Sequence, residues 1–175
     1  MWSWLERLVG KPSEADRRSA DLYEEVVAAA RRPEWYAEGG VADDVDGRFD
    51  MVVLVMSLYL VRLERDAQDA DARGMSSLLV ERFVADMDGS FREIGIGDMV
   101  IGKHMGRAMQ ALGGRLGAYR AALADGVAPA LLGEAIVRNV YRGAAVDTPA
   151  LLVVERGIRA IWQALLARPL AELVG

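Results

Sequence analysis

Cysteine is absent from the 175 residues, which excludes disulfides, thiolate metal sites and thiol chemistry and makes an intracellular compartment the natural expectation. Histidine occurs once, as His104, and beside scattered methionines it has no ligand-spacing logic, so neither a metal nor a haem cofactor is expected. Threonine and phenylalanine are scarce, while Ala, Leu, Val and Arg dominate, a composition that favours helix over strand. No hydrophobic run approaches the roughly 20 residues of a membrane span. The longest, residues 51–61, sits between Asp50 and Arg62 and reads as a buried helix. Residues 1–10 are too short for the apolar core of a signal peptide and contain Glu6 and Arg7, so a cytoplasmic location is expected.

What is present points to one helical domain over residues 1–175. Hydrophobic residues make up 53% of the chain, before its 18 glycines are counted, against the roughly 45–50% usual with glycine included. Such an excess implies either a generous core or an apolar surface reserved for a partner. The net charge of −5 is unevenly placed, with an acidic excess over residues 1–97 and a basic excess over residues 98–175. An acidic chain is a poor nucleic-acid binder, because phosphate affinity needs concentrated basic charge, but a local basic face remains available to anionic lipid or an acidic partner.

Helical periodicity runs through most of the sequence and strand alternation is almost missing, which predicts an all-α bundle of about seven helices. Residues 1–10 hold a short amphipathic helix, with Trp2 and Trp4 on its apolar side. Indoles favour the membrane interface, so these two are candidate membrane contacts, with docking on the protein's own body as the alternative. Ser13 and Asp16 form a plausible capping box for a helix to residue 30. Pro33 breaks the chain before a helical turn at Trp35 and Tyr36 and a connector over residues 39–46. Asp46 is expected to cap a central helix over residues 47–66. Further helices are predicted over residues 75–93, 98–124, 129–141 and 148–167, with Asp98 capping the second of these and residues 169–175 fraying.

Gly102, Gly106, Gly113 and Gly117 recur at spacings that gather them on one face of the helix over residues 98–124. Interior glycines weaken a helix, so close packing against a helix of the same chain, or a groove for a partner helix, is expected in compensation. Eight methionines, most of them in the middle of the chain, suit either core filling or adaptable apolar binding. Asp86 and Asp88 lie two apart on a helix and point away from each other. No nucleophile, base and orienting acid come together in the pattern, and no phosphate-binding glycine loop is present, so no catalytic residues are assigned and an enzyme is not expected.

Three stretches resemble the ubiquinol-cytochrome c chaperone family. The first is Arg32-Pro33-Glu34-Trp35-Tyr36, followed by Gly40-Val41-Ala42-Asp43-Asp44-Val45-Asp46-Gly47-Arg48-Phe49-Asp50-Met51. The second is Asp86-Met87-Asp88 with Phe91-Arg92-Glu93-Ile94-Gly95-Ile96-Gly97-Asp98, and the third Gly102-Lys103, Gly114-Arg115 and Ala118-Tyr119. Together they span residues 32–119 in the family's order and spacing. Ala42 stands where the family usually has Pro, Val55 where His is common, and His104 where Lys is common.

The resemblance implies a non-enzymatic helical chaperone that binds newly made cytochrome b, or another membrane protein client, and supports assembly of the cytochrome bc complex. The composition and the lack of a mitochondrial presequence make the chain look like a bacterial relative, with peripheral contact at the cytoplasmic face of the inner membrane as a further expectation. A holder of unfinished membrane helices needs apolar area with a polar rim. Trp35, Tyr36, Asp46, Arg48, Asp50, Asp88, Arg92, Glu93, Asp98, Gly102, Lys103, Gly114, Arg115 and Tyr119 are therefore candidate partner-binding residues. For Asp46, Gly47 and Arg48, mutual bracing inside the fold is the competing reading. The alternative function is a carrier whose apolar cleft accepts an isoprenoid quinone or another lipid.

Overall fold

Residues 51–61 have no polar face to offer to water, so the helix that carries them has to be surrounded. The computed structural model describes residues 12–93 and 98–175, and among these it shows eight helices and no strand. They are α1 (Glu14–Ala30), α2 (Pro33–Ala37), α3 (Val45–Glu64), α4 (Ala70–Glu93), α5 (Asp98–Ala122), α6 (Ala130–Asn139), α7 (Thr148–Ala167) and α8 (Leu170–Val174). The central position expected for the apolar helix is the one observed. From Asp50 to Leu63 every residue of α3 is buried, and α1, α4, α5 and α7 pack around it. The helix expected at residues 2–9, with Trp2 and Trp4, lies outside the described residues.

Local chemistry sets most helix ends. The Ser13 side chain accepts from the Asp16 amide, and the Asp16 carboxylate accepts from the Ser13 amide, so both halves of the capping box form. At α3 the cap is Asp44, not Asp46: Asp44 Oδ1 accepts from the Gly47 amide at 2.7 Å. Asp46 already lies in the first turn, where its carboxylate accepts from Arg142. α4 starts five residues earlier than the apolar pattern indicates, because Asp69 Oδ1 accepts from the amides of Asp71 and Ala72 and starts the helix before its first buried side chain. α7 has the predicted bounds.

The C-terminal segment departs from the expected fraying. α8 docks on α1 and α4 with Leu173 buried, and Arg18 donates to the Glu172 carbonyl. Arg62 of α3, itself buried, donates from Nε to Leu165 O and from Nη2 to Arg168 O, both at 3.0 Å, and so satisfies carbonyls that the end of α7 leaves open. Trp35 anchors the other flank. Its Nε1 donates to Ala29 O at 2.7 Å, and its ring lies against Gly157 of α7, where a Cβ would collide with the indole.

The glycines of α5 are a correction. A Cβ placed at Gly102, Gly106, Gly113 or Gly117 would meet nothing within 4 Å, and all four residues are exposed. The stripe does not pack against a helix among the described residues. α5 is held instead through its opposite side, where Ile101, Ala108, Leu112 and Tyr119 are buried.

Two expectations follow. Alanine at each of these four positions raises stability by about 0.5–1 kcal/mol in urea unfolding, since it removes backbone entropy from the unfolded chain without a clash, whereas Gly157→Ala destabilises by forcing Trp35 aside. Burial is also the leading cause that raises all five tyrosines: Tyr23, Tyr36, Tyr59 and Tyr119 rise above 10, and Tyr141 to about 12. Because the folded values exceed the unfolded one, this contribution to stability is complete below about pH 10 and is lost as pH rises through the folded values. Tyrosinate absorbance should therefore lag behind that of free tyrosine and appear together with loss of helical circular dichroism.

Candidate functional site

The first turns of α3 carry the densest part of the sequence pattern, and almost every residue there has a structural partner. Asp43 and Arg48 form an exposed pair at 2.8 Å on the surface. Gly47 leaves room for the Ala42 carbonyl, whose oxygen a Cβ would strike. Phe49 is half-buried, with its ring centroid 6.2 Å from that of Phe83 and the Arg115 guanidinium 5.7 Å above it. Met51 is fully buried in the core.

Asp50 is the centre of the arrangement. It is 1% exposed, and its two oxygens go to different arginines. Arg115 of α5 donates from Nη1 to Oδ1 at 2.5 Å, and Arg142, in the connector between α6 and α7, donates from Nε to Oδ2 at 3.0 Å. Arg142 also reaches Asp46 from Nη1 at 2.8 Å. Two carboxylates and two guanidinium groups thus join α3, α5 and the connector at one point. A buried charge paired in this way is held firmly, because separation would leave it without compensation.

Arg142 adopts φ 56°, the only left-handed non-glycine backbone among the described residues, and Gly143 follows at φ 75°. That conformation crowds the Cβ of an L-residue and is maintained only where surrounding contacts impose it. The Tyr141 hydroxyl fastens the same connector by donating to Gly39 O.

Beside this cluster a cavity of about 480 Å³ opens between the start of α3, the C-terminal half of α4 and α5. Phe49, Val52, Met87, Phe91, Ala108 and Ala111 give it apolar walls, and Phe91 stands against His104 with ring centroids 5.6 Å apart. Arg31, Asp46, Arg48, Asp86, Glu93, Arg107, Arg115 and Arg142 supply charge around them. Asp86 accepts from the Tyr23 hydroxyl at 2.8 Å. The volume lies within the roughly 300–1,000 Å³ of ligand pockets, which suits large side chains or a small ligand rather than a whole helix.

The structure brings five of the candidate residues to this cavity: Asp46, Arg48, Asp50, Glu93 and Arg115. Trp35 and Tyr119 are instead in the core, at 1% and 0% exposure, where their area stabilises the fold. Tyr36 is half-buried and donates to Ala30 O at 2.9 Å. Asp88 pairs with Arg92 at 2.8 Å along α4, away from the cavity lining. Gly102, Lys103 and Gly114 lie on the exposed side of α5, outside the lining. Asp98 is the first residue of α5, and its side chain is outside the described part, as are Trp2 and Trp4.

Sequence reasoning missed Arg142 and Arg107. Nothing local marks Arg142, which is 92 positions from Asp50. Phe91 and Met87 were visible inside the second resembling stretch, and their alternation with Asp86 and Ser90 on one helix was the available signal. Among the described residues no three His, Cys, Asp or Glu side chains gather as a metal site, and no helix is long and apolar enough to cross a membrane.

Asp50→Ala is expected to cost about 3–5 kcal/mol in urea unfolding, by leaving Arg115 half-buried without its partner. Arg142→Ala and Arg142→Gly should differ by about 1 kcal/mol in favour of glycine, because both lose the ion pairs but only alanine keeps the crowded left-handed Cβ. Equal stability of the two would contradict the strain at this position.

Residues 37–174 match the sequence model of the ubiquinol-cytochrome C chaperone family. No curated protein sequence matches the chain. Among solved structures, that of the Cbp3 homolog from Brucella abortus superposes with a TM-score of 0.78 at 29% sequence identity, covering 99% of this chain and 94% of that one. With the family match extending over most of its length and the same helical fold shared from end to end, the chain belongs to the ubiquinol-cytochrome c chaperone family.

Proposed function

We propose that the protein is a non-enzymatic assembly chaperone that binds newly made cytochrome b and supports assembly of the ubiquinol-cytochrome c reductase complex, acting at the cytoplasmic face of the inner membrane. The observation that carries this reading is the cavity. Val45, Asp46, Arg48, Phe49 and Asp50 of the first resembling stretch line it, and the cavity combines an apolar interior with a charged rim. Before its haems and partner subunits are in place, a membrane subunit exposes apolar side chains next to polar loop residues. A pocket of this size holds a few such side chains, and the rim supplies hydrogen bonds to the loop. Weak, side-chain-sized capture also suits a holder that must release its client.

Trp35, Tyr36 and Tyr119 then serve the scaffold, whereas Asp46, Arg48, Glu93 and Arg115 form the working rim. Lys103, Asp88 and Arg92 extend the polar surface beyond it.

A photo-crosslinking amino acid at Ala111, inside the cavity, is expected to capture cytochrome b in cells, while the same group at the exposed Leu152 on α7 captures much less. Deletion of the gene is expected to lower cytochrome b and bc-complex activity. Normal levels of both in the deletion strain, or no cytochrome b among the products crosslinked at Ala111, would overturn the proposal. A stoichiometric quinone or lipid retained in native mass spectrometry would favour a carrier in its place.

A further inference from the structure

The connector between α6 and α7, residues 140–147, is tied to the rest of the fold through two neighbouring side chains. Among the described residues its long-range hydrogen bonds are those of the Tyr141 hydroxyl to Gly39 O and of Arg142 to Asp50 and Asp46. The Gly143 and Ala144 amides donate only backward, to Val137 O at 3.0 Å and Tyr141 O at 2.9 Å. Residues 142–145 are exposed. From this segment the Arg142 side chain reaches into the lining of the cavity, and with 51% of it open to water it stands at the mouth.

Two features make the tie reversible. The left-handed backbone at Arg142 crowds its own Cβ, and release relieves that crowding. Release also leaves no charge buried without a partner. The fully buried Asp50 side chain keeps Arg115 at 2.5 Å, a neutral pair inside the helix packing. Asp46 and Arg142, 68% and 51% exposed, pass to water together, and an ion pair so open contributes little. The cluster is therefore neutral with the connector closed and neutral with it open, and the bond from Arg142 Nε to Asp50 Oδ2 is what favours the closed form.

We propose that residues 140–147 are a latch over the cavity: with Arg142 on Asp46 and Asp50 the mouth is narrowed, and with Arg142 released apolar side chains of a protein client pass in to Phe49, Met87 and Phe91. This inference rests on the reading of the cavity as the client site and adds how entry to it is controlled. The entering groups are apolar, so an uncharged segment is enough. Client binding and opening of the connector are coupled, because the bound state draws the population towards the open form.

The test uses the full chain and an uncharged peptide of Leu, Phe, Ala and Gln with blocked ends. Affinity is read by isothermal titration calorimetry and the latch by amide hydrogen exchange. Arg142→Gly removes the ion pairs and the crowded Cβ, and Tyr141→Phe cuts the other tie without changing charge. Each is expected to bind the peptide about threefold or more tightly than the unaltered chain, since a closed fraction no longer lowers the apparent affinity. Thermal melting followed by circular dichroism verifies that each variant is folded. Ala111→Trp, which fills the cavity, abolishes binding. In the unaltered chain the Gly143 and Ala144 amides should exchange faster with peptide bound than without it, the opposite of the protection that simple coverage gives. Unchanged or weaker binding in either folded variant, or slower exchange of these amides in the complex, overturns the latch and leaves the cavity as the peptide site. No binding, or binding that Ala111→Trp leaves intact, overturns the latch together with the cavity as client site. Latch behaviour without cytochrome b crosslinked at Ala111 keeps the device and removes only the identity of the client.

Discussion

A carboxylate with almost no access to water, Asp50, is the constraint on which the rest of the structure depends. Ionised in that position it has to be compensated, and among the described residues the side chains that reach it come from α5 and from the connector between α6 and α7. Its ion pairs therefore decide where α5 lies on α3 and how the connector closes over the start of α3. The cavity follows from this geometry. Charge pairing keeps α3 and the α5 wall in register at the point where Phe49 and Phe91 border the gap. Apolar residues of similar volume would pack at least as favourably, so the value of a buried ionic cluster here is positional.

Features that depend on local chemistry were legible in the sequence. The box of Ser13 and Asp16 and the bounds of α7 could be read directly, and the all-round hydrophobicity of residues 51–61 announced the central helix. Local ambiguity produced the smaller errors. Three aspartates stand within residues 43–46, and only the geometry of the Gly47 amide selects Asp44 as the cap. At α4, Asp69 starts a helix through residues whose polarity and Gly74 read as a link.

The larger errors arose where an outcome rests on residues far apart. The glycine face of α5 looked like a packing surface because spacing alone says nothing of what lies opposite, and α8 looked free because the arginines that secure it are on α1 and α3. The candidate site divided in the same way. Residues chosen for their resemblance to the family are of two physical kinds that sequence does not separate: Trp35 and Tyr119 hold the fold, whereas Arg48, Glu93 and Arg115 face the cavity. Arg142, which links the cavity to the connector, had no local pattern to announce it.

The docking of α8 has a kinetic consequence. Arg18 meets the Glu172 carbonyl across 154 positions, Arg168 meets Glu25 across 143, and Arg62 meets the Arg168 carbonyl across 106. Helical bundles fold quickly when their contacts are local, but a seam that joins such distant segments must first meet the entropy of closing very large loops. α1 and α8 are thus the late stitch of this fold, and a chain interrupted before residue 173 leaves the α1 and α4 faces on which α8 docks open to solvent and to aggregation.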